Sequence, residues 1–177
     1  MISKPRCFLD LLELQKILDD EVSKPRENGF VPRYRTELDI LLSLDDEFQE
    51  WLRELPQECN FKTWKQKEYD VKKELEELTD VLFFILQYTN DEEDQVSTLE
   101  ELENAFNMDI VRNISLEDLI KEFKNELWST PIIDYLLGVY MQIVQKRGFT
   151  KKDLLNAYWD KWQINMGRQN KDWVIQE

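Results

Sequence analysis

The chain has 177 residues, of which 42% are hydrophobic, so it can bury the core of one domain. Its net charge of −14 disfavours nucleic acid and anionic membrane surfaces as partners, because both attract basic proteins. The absence of histidine excludes His-dependent triads and His-ligated zinc. We therefore expect a single domain over residues 1–177, with neither nucleic acid nor a membrane as its partner.

The two cysteines, Cys7 and Cys59, lack the spacing of a metal site, and no signal peptide or membrane-length apolar run is present. Reduced thiols are the simplest interpretation. We therefore expect a cytoplasmic protein.

Apolar residues recur with a helical period along most of the chain, and Gly and Pro are scarce at 4 and 5 residues. Capping signals at Thr98 and Ser115 predict two helix starts, and Gly148 predicts a helix end. We expect an all-α fold, a compact helical bundle of about five to seven helices. The predicted helices cover residues 8–22, 34–55, 70–88, a segment from 98, 115–128, 132–146 and 150–169.

The helix predicted over residues 34–55 has an apolar stripe that we expect to face the core. The helix over residues 70–88 contains an apolar run, 81–86, typical of a helix buried on all sides. The predicted core stripe of the first of these helices consists of Leu38, Leu41, Leu42, Phe48, Leu52 and Leu55.

Two carboxylate pairs lie in these two helices, Glu47 with Glu50 and Glu77 with Asp80. Residues three apart share a helix face, so two packed helices would bring four carboxylates together. Such a group is repulsive unless a cation lies between its members. Oxygen ligands favour a hard cation, above all Mg²⁺.

Two details distinguish these acids from an ordinary solvated face. Glu47 interrupts the apolar line of Ile40, Leu44 and Trp51, and Asp80 directly precedes six apolar residues. A carboxylate there is costly unless it is paired or metal-bound. The pattern alone leaves two interpretations open, a metal site or salt-bridged surface acids.

The layout Glu47-x-x-Glu50 and Glu77-x-x-Asp80 resembles the signature of the all-α nucleoside triphosphate pyrophosphatases, which include MazG-like proteins. The connector Lys62-Thr63-Trp64-Lys65 and residues 165–170 most resemble the dimeric type of dUTP pyrophosphatase (dUTPase). The resemblance covers residues 12–20, 47–86 and 148–170.

This resemblance implies that Glu47, Glu50, Glu77 and Asp80 hold Mg²⁺ and that dUTP is hydrolysed to dUMP and pyrophosphate. Metal ions neutralise phosphate charge and lower the pKa of bound water. Without histidine, one of the acids takes the proton of that water, or the metal generates hydroxide unaided. We assign Glu47 as the base, since it has the most apolar neighbours.

Lys161, Asn165 and Arg168 form one polar edge of the last predicted helix, facing away from Leu154, Leu155 and Ile164. By resemblance they bind the phosphates, for which Arg is well suited. The alternative is an ordinary solvated face.

The connector residues Lys62, Trp64 and Lys65 would close over the substrate. Their alternative is a surface loop whose Trp64 plugs the bundle.

Gln15 matches a family residue that hydrogen-bonds uracil, and a side-chain amide offers both a donor and an acceptor. Its alternative is an exposed helical glutamine. Phe84 would pack on the base or belong to the core. Asp19 stands where related proteins often have Asn, at the same base contact.

Two other hypotheses remain open at this stage. A related pyrophosphatase would prefer another nucleotide, such as dCTP or a damaged triphosphate. A regulatory dimer would instead bind a protein through residues 90–146. The resemblance implies a homodimer, and the apolar helix 132–146 suits either an interface or a core.

Overall fold

The computed structural model describes residues 2–91, 97–109 and 113–168, and these ranges are helical with no strand. The all-α prediction is confirmed. Within these ranges there are seven helices, α1 Phe8–Val22, α2 Glu37–Glu54, α3 Val71–Asp91, α4 Leu99–Phe106, α5 Leu116–Leu127, α6 Ile133–Lys146 and α7 Lys151–Arg168.

Short polar side chains determine where several helices begin. Thr36 and Thr98 each form a reciprocal capping box with the residue three positions later, and Ser115 caps α5. The predicted starts at Thr98 and Ser115 are confirmed. Helix α2 begins three residues later than predicted, since the Thr36 box opens it. Gly148 has a φ of 84°, which a residue after a helix C-terminus often adopts and which suits glycine.

Helix α6 contributes to one core that contains residues from each of the helices described. It packs against α4 and α5, while α2 packs mainly on α3, and α3 also contacts α1 and α7. Helix α6 was predicted to form either an interface or part of the core. Within this chain it forms part of the core, because the positions from Leu136 to Val144 are all buried.

The predicted core stripe of α2 is wrong at two positions, Leu38 and Leu42, which are exposed. The helix instead turns Ile40, Leu44 and Trp51 inward, and Leu38 and Leu42 lie one turn apart on the other side. The run 81–86 of α3 is buried as predicted, apart from the partly buried Phe84. None of the described helices is long and apolar enough to cross a membrane.

Candidate metal centre and substrate site

The packing of α2 on α3 brings three of the four predicted acids together. Glu47, Glu77 and Asp80 each offer a carboxylate oxygen, and these oxygens lie within 4.8 Å of one another. Glu50 lies outside this cluster. Its half-exposed side chain is 3.9 Å from Arg53, measured from Oε1 to Nη1.

Burial and repulsion from neighbouring acids raise the pKa values of all three clustered acids. Burial, followed by repulsion from Asp80, Glu50 and Glu77, raises the pKa of Glu47 to about 8. Burial and then the charge of Asp80 raise the pKa of Glu77. For Asp80, burial raises the pKa while Lys161 opposes that rise. Without a cation between them, the three carboxyl groups are therefore harder to ionise together than isolated acids are.

This donor set fits a hard divalent cation. Each residue supplies oxygen, there is no sulfur or imidazole ligand in the cluster, and the elevated pKa values show that a cation there would be favourable. Glu47, Glu77 and Asp80 can therefore hold Mg²⁺, and Glu50 is close enough to repel Glu47.

Lys161 on α7 forms an ion pair with Asp80. It also lines a cleft of about 370 Å³ between α3 and α7, together with Lys72, Thr79, Ile164 and Arg168. The acids Glu76 and Asp160 line the cleft as well. The ion pair of Lys161 with Asp80 connects the cleft to the acid cluster. This cleft can accommodate a phosphate chain.

The predicted polar edge of α7 is confirmed only in part. Lys161 and Arg168 share the cleft, Leu154 and Leu155 are buried as predicted, and Asn165 is half-buried. Ile164 was expected on the opposite side, and this is wrong, because it is exposed and lines the same cleft. Residues 169 and 170 of the predicted motif lie outside the described residues.

Gln15 is 3% exposed, so the alternative of an exposed helical glutamine is wrong. Its Oε1 accepts a hydrogen bond from the Tyr158 hydroxyl at 2.9 Å, and its Nε2 donates to Asp19 Oδ1 at 2.8 Å. Gln87 Nε2 donates to the same oxygen at 3.0 Å. These contacts join α1, α3 and α7 through one polar network.

Burial raises the pKa of Asp19 to about 7, against the opposing effects of Gln15 and Arg35. The carboxyl group is therefore close to half-protonated at neutral pH. A protonated carboxyl offers both a donor and an acceptor, as an Asn side chain does. Asp19 can thus offer a donor and an acceptor together, as an Asn side chain would.

Phe84 is partly buried and packs against the core, but its ring is also covered by a cation. The Arg35 guanidinium carbon lies 5.1 Å from the ring centroid. Arg35 Nη1 donates to Gln87 Oε1 at 2.7 Å, and Nη2 donates to Ser43 Oγ at 3.0 Å. Arg35 therefore connects Phe84 to the Asp19 network.

The connector residues are not brought together with α7. Lys62 and Lys65 line a separate depression of about 250 Å³ with Arg53, Glu54 and Asn60. Trp64 is 75% exposed, so it does not plug the bundle, and that alternative is wrong.

Sequence reasoning missed Arg35, Gln87 and Tyr158 as members of the polar network around Asp19. Gln87 lies one turn after Phe84 on α3, and this spacing could have indicated that the two side chains share a helix face. No local sequence pattern indicated Tyr158 or Arg35, because their hydrogen-bond partners are distant in the chain.

A helical bundle whose acidic cluster is joined through the Lys161–Asp80 ion pair to a cleft that contains Lys72 and Arg168 fits an all-α nucleotide hydrolase. Residues 8–173 match the dUTPase family, so the chain belongs to that family and hydrolyses dUTP. Among curated proteins, no sequence significantly matches this chain.

Proposed function

We propose that the protein hydrolyses dUTP to dUMP and pyrophosphate with Mg²⁺ held by Glu47, Glu77 and Asp80, with Glu50 beside them. One observation carries this proposal, the convergence of three carboxylate oxygens within 4.8 Å on two packed helices. Mg²⁺ at this point would neutralise phosphate charge and lower the pKa of a bound water. Family membership supports dUTP over dCTP or a damaged triphosphate.

The side chains around the cluster have separate roles in this proposal. Glu47 accepts the proton of the attacking water, an assignment supported by its place as a half-buried carboxylate inside the cluster. Lys161, Asn165 and Arg168 bind the phosphates along the cleft between α3 and α7, and the position of Lys161 and Arg168 in that cleft supports this.

The base would be bound at the network around Asp19. Gln15 and Asp19 hydrogen-bond its polar edge, and Phe84 packs on its ring. Gln15 is held in one orientation by Tyr158 and Asp19, which limits what it can donate or accept. Lys62, Trp64 and Lys65 would close over the nucleotide from the exposed connector, and the exposure of Trp64 leaves it available for this contact.

A homodimer in the cytoplasm is the assembly and compartment that we propose. The exposed pair Leu38 and Leu42 on α2 supports a partner surface, because adjacent apolar side chains favour burial. Cys7 and Cys59 are unpaired, which suits a reducing compartment. Light scattering coupled to gel filtration tests the dimer, and a monomeric mass would contradict it.

A nucleotide panel with metal control tests the proposed reaction. Purified protein is incubated with dUTP, dCTP, dTTP and UTP, first in EDTA and then with excess Mg²⁺, and the products are separated by chromatography. We expect dUMP and pyrophosphate from dUTP, and only with Mg²⁺. A faster reaction with another base, or orthophosphate as the product, would contradict the proposal.

A further inference from the structure

Glu74 is a fully buried carboxylate that belongs to none of the predicted site groups. Arg147 Nε donates to its Oε1 at 2.6 Å, and Arg147 Nη2 donates to its Oε2 at 3.1 Å. The Tyr69 hydroxyl donates to Oε2 at 2.7 Å, and Trp51 Nε1 donates to Oε1 at 3.2 Å. Each of the two carboxylate oxygens of Glu74 therefore accepts two hydrogen bonds.

These contacts join four segments of the chain at one buried point. Trp51 lies on α2, Tyr69 ends the connector, Glu74 lies on α3 and Arg147 caps the C-terminus of α6. A buried charge is strongly unfavourable when it loses one of its partners. The four segments are thus constrained to a single relative position.

The position of this group relative to the acid cluster is informative. Trp51 follows Glu47 by one turn of α2, and Glu74 precedes Glu77 by one turn of α3. The Trp51–Glu74 hydrogen bond therefore crosses the α2–α3 interface about one turn away from the place where the acids of the two helices meet. A shift of either helix at this bond would change the separation of the carboxylates.

We infer that Glu74 and Arg147 are positioning residues that set the spacing of the metal-binding acids across α2 and α3. This inference rests on the proposed metal site. Side chains that orient metal ligands without touching the metal are commonly worth a ten- to hundredfold change in metal affinity. Here Glu74 would act on the metal-binding acids through the helix backbones. It lies on the same helix as Glu77 and Asp80, and its hydrogen bond to Trp51 reaches the helix of Glu47.

A purely structural role predicts a different result, namely lower stability with unchanged metal affinity. Phe106 provides the matched control. It is a buried aromatic residue of α4 that packs on Phe8, and α4 contacts α1 and α6 instead of the two acid-bearing helices. Phe106→Leu should lower the melting temperature without moving the acids.

The experiment measures Mn²⁺ binding by electron paramagnetic resonance on the full chain, beside a thermal melt of each variant. We expect Glu74→Gln and Arg147→Lys to weaken Mn²⁺ binding by about tenfold or more, and Phe106→Leu to bind Mn²⁺ as the wild type does. Wild-type affinity in Glu74→Gln, or equal weakening in Phe106→Leu, would overturn the inference.

Tyr69→Phe keeps the test decisive if Glu74→Gln does not fold. It removes a single hydroxyl from a side chain that is 41% exposed, and it leaves both Arg147 hydrogen bonds to Glu74 in place, so it should fold. We expect its Mn²⁺ affinity to fall by a smaller but measurable factor, and unchanged affinity would count against the inference. Absence of Mn²⁺ binding in the wild type, or unchanged binding in Asp80→Asn, would instead refute the proposed metal site.

Discussion

Lys161 Nζ donates a hydrogen bond to Asp80 Oδ2, which joins α7 to the acid cluster on α2 and α3. Both side chains are largely shielded from solvent, at 29% and 16% exposure. Without a metal, this ammonium group is the cation that neutralises Asp80. In the proposed mechanism it would therefore compete with Mg²⁺ for Asp80, and it would bind phosphate when the nucleotide is present.

Lys161→Met should change metal and substrate binding in opposite directions. Loss of a partly exposed ion pair of about 1 kcal/mol should strengthen Mn²⁺ binding by up to about fivefold in the absence of nucleotide. Loss of a charge-assisted phosphate contact should raise KM for dUTP by about tenfold or more. Calorimetric titration and steady-state kinetics measure the two effects.

Lys152→Met is the matched control, since Lys152 is an exposed residue at the start of the same helix. It should leave both quantities unchanged. Weaker metal binding in Lys161→Met would show that Lys161 supports the metal instead of competing with it.

The stability of the metal-free protein should depend on pH through Glu47. Its pKa rises on folding from an ordinary value of 4.5 to about 8, so between these values the folded chain holds a proton that the unfolded chain has lost. The free energy of unfolding in EDTA should therefore fall as the pH rises through this range. Urea unfolding at several pH values measures it.

Glu47→Gln removes this contribution, so its unfolding free energy should change less with pH than that of the wild type. Glu77 and Asp80 act in the same direction and remain in the variant. Saturating Mg²⁺ should stabilise the wild type most at high pH, where the acids are ionised. A metal-free stability that rises between pH 5 and about 8 would contradict the burial of these acids.

Much of this architecture could be predicted because its signals are local. Capping residues such as Thr98 and Ser115 specify helix starts, and the interruption of an apolar stripe by Glu47 marked it as an unusual acid. The burial of Gln15 could not be predicted, because it depends on Tyr158 in the last helix. The exposure of Leu38 could not be predicted either, because the packing of α2 on α3 decides which side of α2 faces the core.

The place of Glu50 was also beyond a sequence-based prediction. The spacing of three residues puts Glu50 on the same side of α2 as Glu47. The packing of α2 on α3 then decides which of the two side chains meets the acids of α3. In the structure Glu47 meets Glu77 and Asp80, whereas Glu50 lies toward Arg53.

Asp19→Asn should remove a pH dependence of substrate binding. Because burial raises the pKa of Asp19 to about 7, its carboxyl loses the donor proton as the pH rises through neutrality. If the base requires a donor at this position, KM for dUTP in the wild type increases above pH 7, while the variant has a constant KM. Initial-rate kinetics from pH 6 to about 8.5 measure this difference.

The same substitution should stabilise the protein at high pH, because it removes a buried carboxylate that is costly to ionise. Wild-type and variant unfolding curves at the highest pH check this result. An equal KM profile for the two proteins would exclude Asp19 from the base contact.

Trp64→Ala should affect the substrate but not the fold. With 75% of the residue exposed, the change in stability should be within about 0.5 kcal/mol, or about 1–2 °C in melting temperature. Stacking of an aromatic side chain on a base is worth about 1–3 kcal/mol, so KM for dUTP should rise by at least about fivefold.

Trp128→Ala is the control for Trp64→Ala, since Trp128 is an exposed tryptophan at the end of α5. It should leave KM unchanged. Equal KM values in wild type and Trp64→Ala would remove Trp64 from the substrate site.

The central claim is that the acid cluster holds the Mg²⁺ needed for dUTP hydrolysis. The release of pyrophosphate from dUTP by Asp80→Asn tests this claim most directly. It is measured with and without Mg²⁺ beside the wild type and Glu100→Gln, which changes an exposed acid at the start of α4. We predict a Mg²⁺-dependent rate in the wild type and in Glu100→Gln, and a loss of at least about a hundredfold in Asp80→Asn, since even outer partners of a metal are worth up to that factor. A wild-type rate that survives EDTA, or full activity of Asp80→Asn with Mg²⁺, would contradict the account.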